Sequence, residues 1–215
     1  MTAAGVAHTG FREGEVEIEG RRLRYAEGGQ GPTLVHVAGE SRLRVTPAHG
    51  LLATHFRVLV FEPPAADRLG DAEIASYVAL AAERLGAEAF DLLGSSAGAG
   101  AALRLALLAP SRVRALVLES PLAIGPAHRD PELERRLSEL TTPTLVLIGT
   151  EDTVAPGDAG RVYTTLIPGS HLVFVYAAGH AIALERPEAF VEVVVDFLER
   201  HEAFVINRAR SLILP

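Results

Sequence analysis

Short apolar runs alternate along the chain with longer stretches whose apolar residues recur every three or four positions. Glu15–Ile18 and Arg22–Ala26 flank Gly20 and predict the start of a hairpin. Thr33–Val37, Arg57–Phe61, Ala89–Leu93, Ala115–Leu118, Thr144–Ile148 and His171–Tyr176 are strand-sized. The more apolar of these runs lack alternation, as strands covered on both faces do. Between them, Asp71–Leu85 places Ile74, Val78, Ala81, Ala82 and Leu85 at helical spacing, with Asp71 as its N-cap. Ala97–Ala109 is rich in Ala and Leu and stops before Pro110, and Pro131–Leu140 predicts a short helix. Pro187–Arg200 opens on a first-turn proline and turns Phe190, Val191, Val194, Phe197 and Leu198 inward. Strands alternating with helices imply an α/β fold with a mostly parallel central sheet. No repeat or low-complexity linker divides the chain. Residues 1–215 therefore read as one domain, with a core over about 15–200 and a tail over 201–215.

Composition narrows the function classes. Hydrophobic residues make up 48% and charged residues 22%, which is ordinary globular usage and excludes disorder. Twenty basic residues against 27 acidic ones leave a net charge of −7, so nucleic acid is not an expected partner. Cysteine is absent, which removes disulfides, thiolate metal sites and a cysteine nucleophile together. No apolar run is long enough to span a membrane. Met1–Gly14 lacks the basic and apolar regions of a secretory signal, so the expectation is a cytoplasmic protein without a membrane partner.

The chemistry gathers on three loops. Ala89–Leu93 runs into Gly94-Ser95-Ser96-Ala97-Gly98, and a helix follows at once. That is the strand–turn–helix setting in which a G-x-S-x-G serine sits on a strained turn, with small neighbours and an exposed hydroxyl. The helix N-terminus beneath favours developing negative charge. A packing loop rich in Gly and Ser is the plainer alternative. A phosphate loop is excluded, because neither G-x-x-x-x-G-K-[ST] nor G-x-G-x-x-G is present. A serine nucleophile needs a base, and the base needs an orienting acid. Thr144–Ile148 leads to Glu151-Asp152, and His171–Tyr176 leads to Gly179-His180, both just beyond strand ends where open parallel sheets bind ligands. Asp152 is the candidate acid, Glu151 its nearest competitor, and His180 the candidate base. Of the other histidines, His8 and His201 are terminal, and His49, His55 and His128 read as surface or loop residues. His171 opens a strand, and His36, inside an apolar strand, reads as a buried imidazole near the site. No histidine pair has metal-ligand spacing with carboxylates, so no metal is expected.

Together these segments resemble the α/β-hydrolase superfamily over about residues 15–200. FDLLGSSAGAGAALRLALLAPSRVRALVLESP is similar to its nucleophile region, TPTLVLIGTEDTVAP to its acid loop and AAGHAIALERPEAF to its histidine loop. EGGQGPTLVHVAGES is similar to the strand entering its oxyanion loop. The resemblance implies the α/β-hydrolase fold, with an eight-stranded, mostly parallel sheet and helices on both faces. It implies Ser96 as nucleophile, Asp152 as acid and His180 as base, without cofactor, acting on a small-molecule acyl substrate. The reaction implied is hydrolysis of a carboxylic ester, thioester or lactone through an acyl-enzyme. The backbone N–H groups of Ala97 and Glu40 would form the oxyanion hole. Glu40 departs from the family pattern, because a carboxylate beside an oxyanion is repulsive unless it turns away. The alternatives are the same triad used by a C–C hydrolase, lyase or acyltransferase, and a non-catalytic small-molecule binding protein. Only residues 121–143 separate the sixth and seventh strands, so no substantial cap domain is expected. The tail carries Phe204, Val205, Ile206 and Leu212–Leu214, which would dock on their own domain or across a homodimer.

Overall fold

A computed structural model describes residues 10–39, 42–62, 69–124, 130–155 and 157–204. Eight strands form one sheet: β1 (Arg12–Ile18), β2 (Arg21–Gly28), β3 (Thr33–Val37), β4 (Arg57–Phe61), β5 (Phe90–Ser95), β6 (Val113–Glu119), β7 (Thr144–Gly149) and β8 (His171–Val175). Their order is β1-β2-β4-β3-β5-β6-β7-β8. β1, β2 and β4 pair antiparallel, and every later pairing is parallel. The edge pair alternates: Val16, Ile18, Leu23 and Ala26 face inward while charged residues of the same strands face out. All five residues of β3 and all six of β7 are buried, as unalternated runs require of central strands.

Seven α-helices flank this sheet among the described residues: α1 (Pro47–Leu52), α2 (Asp71–Arg84), α3 (Gly98–Leu108), α4 (Pro131–Arg136), α5 (Gly157–Leu166), α6 (Ile182–Glu185) and α7 (Pro187–Arg200). On one face α2 and α3 pack over Val35, Leu59 and Leu92; on the other α1 and α7 pack over Leu34, Val58 and Leu93. The N-cap of α2 is Gly70, not Asp71: Glu73 reaches back to the Gly70 N–H at 3.0 Å, which sets the helix start one residue earlier. Asp71 instead lies in the first turn, where a carboxylate suits the helix dipole. The helix expected over Pro131–Leu140 is shortened, because Leu137–Glu139 tightens to 3-10 geometry. Residues 120–124 and 130–143 hold that short helix and its flanking turns, and among the described residues no cap stands over the sheet.

The start of the tail docks on its own sheet. Phe204 is buried, with its ring 5.4 Å from Phe197 and 5.1 Å from His171. The rest of the tail, Val205, Ile206 and Leu212–Leu214 included, lies outside the described residues, as do His8 and His128. No helix among the described residues is long and apolar enough to cross a membrane.

Candidate active site

β5 delivers Ser96 on a turn with φ of +51°, left-handed for a residue that carries a side chain. This strain is held from both sides: the Ser96 N–H donates to Glu119 O at 2.9 Å, and Ser96 O accepts the Leu122 N–H at 3.1 Å. The following glycine is dictated by space. A Cβ on Gly98 would stand 2.3 Å from Val37 O, so α3 approaches β3 backbone to backbone.

The three loops picked out in the sequence converge here. Ser96 Oγ lies 2.8 Å from His180 Nε2, and His180 Nδ1 lies 2.9 and 3.2 Å from the two carboxylate oxygens of Asp152. A neutral imidazole facing a carboxylate at Nδ1 carries its proton there, which leaves Nε2 to accept the serine hydroxyl. Asp152 is buried and its Oδ1 also accepts the N–H groups of Val154 and Ala155, each at 2.8 Å. Burial alone would raise its carboxyl. The Ala155 N–H, the His180 ring, the Ser120 hydroxyl and the Val154 N–H outweigh that and hold it below the usual carboxylate range. Glu151, the competing acid, is exposed, and its backbone N–H ties the acid loop to Ala178 O at 2.9 Å.

The loop carrying His180 is fixed by two carboxylates that sequence reading missed. Glu185 accepts the Gly179 N–H at 2.7 Å and the Ala181 N–H at 3.2 Å, one on each side of His180. Glu119, at the end of β6, is buried and accepts the Ala183 N–H at 2.8 Å. Burial pushes the Glu119 carboxyl up to about 7, against the pull of the Ala183 and Ile182 N–H groups. The signal for Glu119 was an acidic residue ending the apolar run Ala115–Leu118.

His49 is the clearest correction among the histidines. It is buried inside α1 and not a surface residue: its Nε2 lies 2.8 Å from His36 Nδ1. A single helical turn with Gly50 in it left no apolar period to reveal that helix. His36 is buried beside the site as expected, with Nε2 2.9 Å from Ser95 Oγ. Burial, and then the second imidazole beside it, hold His36 well below the usual histidine range. Ala97, the expected oxyanion donor, is exposed at the foot of α3, and a Cβ on Gly39 would come within 2.8 Å of its nitrogen. Glu40, the other expected donor, lies outside the described residues. A cleft of about 150 Å³ opens at Ser96 and His180, walled by Gly39, Ser95, Glu119, Ala183 and Leu184. No group of three or more potential metal ligands occurs among the described residues.

The sequence profile of the alpha/beta hydrolase fold matches residues 51–137. A hydrolase of Bacillus subtilis, the uncharacterized YugF, is 33% identical over 73 residues, 34% of this chain and 27% of that protein. The 2-hydroxy-6-oxononadienedioate/2-hydroxy-6-oxononatrienedioate hydrolase 2 of Pseudomonas putida is 37% identical over 78 residues, 36% of this chain and 27% of that protein. The matched segment thus spans about a quarter of each relative's length. Among solved structures, a bacterial membrane phospholipase A superposes with a TM-score of 0.79 at 20% identity, covering 89% of this chain and 87% of that one. The carboxylesterase CesB of Bacillus subtilis superposes with a TM-score of 0.73 at 18% identity, covering 87% and 91%. At those identities the likeness is one of fold. The chain thus has the α/β-hydrolase fold, and the profile of that fold matches the part of it from residue 51 to residue 137.

Proposed function

We propose that the protein is a serine hydrolase that cleaves a small carboxylic ester, thioester or lactone through an acyl-enzyme. The observation that carries this reading is the unbroken chain from Ser96 Oγ to His180 Nε2 at 2.8 Å and from His180 Nδ1 to Asp152 at 2.9 Å. Ser96 Oγ attacks the carbonyl carbon while its proton passes to His180 Nε2. The oxyanion so formed accepts the Ala97 N–H, a type of contact worth about 3–4 kcal/mol in the transition state. Collapse breaks the acyl C–O or C–S bond, and His180 returns the proton to the leaving alcohol or thiol. Water then attacks the acyl-enzyme, gives a proton to His180, and collapse restores the Ser96 hydroxyl as the acid departs. Asp152, held ionised, keeps the ring in the required tautomer and stabilises its protonated form.

Cleft size favours a short acyl group, since a cavity of about 150 Å³ takes a ring the size of benzene. A fluorophosphonate is expected to add to Ser96, seen as a mass shift on its peptide. An unmodified Ser96 under conditions that label a control serine esterase counts against the reading.

Similarity to the Pseudomonas putida hydrolase favours a second reading, in which the same residues cleave a carbon–carbon bond beside a ketone. Release of a carboxylic acid and a ketone fragment from a vinylogous diketone, with no turnover of p-nitrophenyl esters, would select it.

A further inference from the structure

A row of polar side chains runs into the cleft from behind Ser96, and its direction can be derived. The Thr46 backbone N–H reaches His49 Nδ1 at 2.8 Å, and a backbone N–H can only donate. His49 Nδ1 is therefore an acceptor, reached also by Thr46 Oγ1 at 2.9 Å, and in the neutral ring the proton sits on Nε2. That proton is donated to His36 Nδ1 at 2.8 Å. The His36 proton is in turn forced onto Nε2, which donates to Ser95 Oγ at 2.9 Å. Ser95 Oγ also accepts the Gly39 N–H, at a longer 3.4 Å. A hydroxyl has two acceptor positions and one proton. Both acceptor positions of Ser95 are taken, and among the described residues its own proton has no acceptor. Ser95 lines the same cleft as Ser96 and His180.

We infer that Ser95 is a further catalytic residue: its hydroxyl proton, turned outward by the His49–His36 relay, donates to the substrate carbonyl oxygen as that oxygen gains charge. The placement is apt, because Gly39, which donates to Ser95, packs against the Ala97 nitrogen. The relay is also self-locking. An added proton on His36 Nδ1 would set two N–H groups face to face across a 2.8 Å gap. Burial of His36 opposes the charge further, in keeping with its depressed basicity. His36 and His49 are thus positioning residues that set the polarity of a single hydroxyl.

The inference rests on the hydrolase reading, and three measurements separate the two. Imidazole nitrogen shifts of the wild-type protein, read by long-range proton–nitrogen correlation, are expected to show Nε2–H tautomers for both His36 and His49. Either ring found as the Nδ1–H tautomer overturns the relay. Ser95→Ala is expected to lower kcat by about 10²-fold per phosphonate-titrated site, with a smaller change in KM. A kcat within about twofold of wild type, or a loss confined to KM, overturns the assignment. His36→Leu, which frees Ser95 to turn its proton inward, is expected to lose kcat in the same direction; full activity in folded His36→Leu also overturns it. Failure of wild-type protein to label at Ser96 or to turn over any acyl substrate sinks the hydrolase reading, whereas the tautomers are read without catalysis.

Discussion

Glu119 Oε1 accepts the Ala183 N–H at 2.8 Å, so the strand beside the Ser96 turn grips the short helix that follows His180. The same strand end also accepts the Ser96 N–H through Glu119 O. One residue therefore holds the Ser96 turn by its main chain and the segment that follows His180 by its side chain.

This buried carboxyl predicts a pH dependence of stability. Burial raises Glu119 from 4.5 to about 7 in the folded protein. Between those values the folded state holds a proton that the unfolded chain has released, so stability falls as pH rises across that window. The loss contributed by this group is on the order of 3 kcal/mol. Glu119→Gln keeps a carbonyl oxygen for the Ala183 N–H and cannot ionise. Urea midpoints across this range are expected to show the variant gaining on wild type as pH rises; parallel curves would contradict the assignment.

Asp152 faces His180 Nδ1 and also carries two backbone N–H groups, so its carboxylate both orients the ring and anchors its own turn. Asp152→Asn presents an amide that can turn an N–H toward the ring and invert its tautomer. A fall in kcat of about 10³- to 10⁴-fold is expected, with the fold retained by circular dichroism. A loss of less than about tenfold would remove Asp152 from the role of acid.

Gly98 has no room for a methyl group, because the nearest atom to an added Cβ is the Val37 carbonyl oxygen at 2.3 Å. Gly98→Ala is expected to cost about 1–3 kcal/mol in chemical denaturation, since backbone on both sides must move. The same shift tilts the Ser96 turn, so kcat is expected to fall with stability.

The cleft sets an acyl-length limit. p-Nitrophenyl esters of graded chain length are expected to give the highest kcat/KM at about two to four carbons and to decline beyond, as the acyl group outgrows the space. A steady rise to long chains would place the acyl group elsewhere.

Much of this was legible in the sequence because the site uses local signals. Apolar runs marked the central strands, the glycines and serines around Ser96 marked the sharp turn, and Asp152 and His180 each followed a strand end. Residues whose role depends on tertiary contact were not legible. His49 lies in a helix of six residues, too short for a period, and is buried only because β3 places His36 against it. Glu119 and Glu185 act through backbone N–H groups 64 and 6 residues away, and although an acidic residue ending an apolar run marks Glu119, no local pattern names the partners of either. The boundary of α2 moved by one residue for a similar reason: the Glu73 side chain, not the residue type at the cap, decides where the helix begins.

The central claim is that Ser96 is a nucleophile activated by His180. Its most direct measurement is intact and peptide mass spectrometry after treatment with a fluorophosphonate, run on wild type, Ser96→Ala and His180→Ala in parallel. One adduct per chain, on Ser96, absent from Ser96→Ala and strongly slowed in His180→Ala, is the predicted result. No adduct on folded wild-type protein, or labelling of Ser96 at the same rate without the imidazole, would contradict the account.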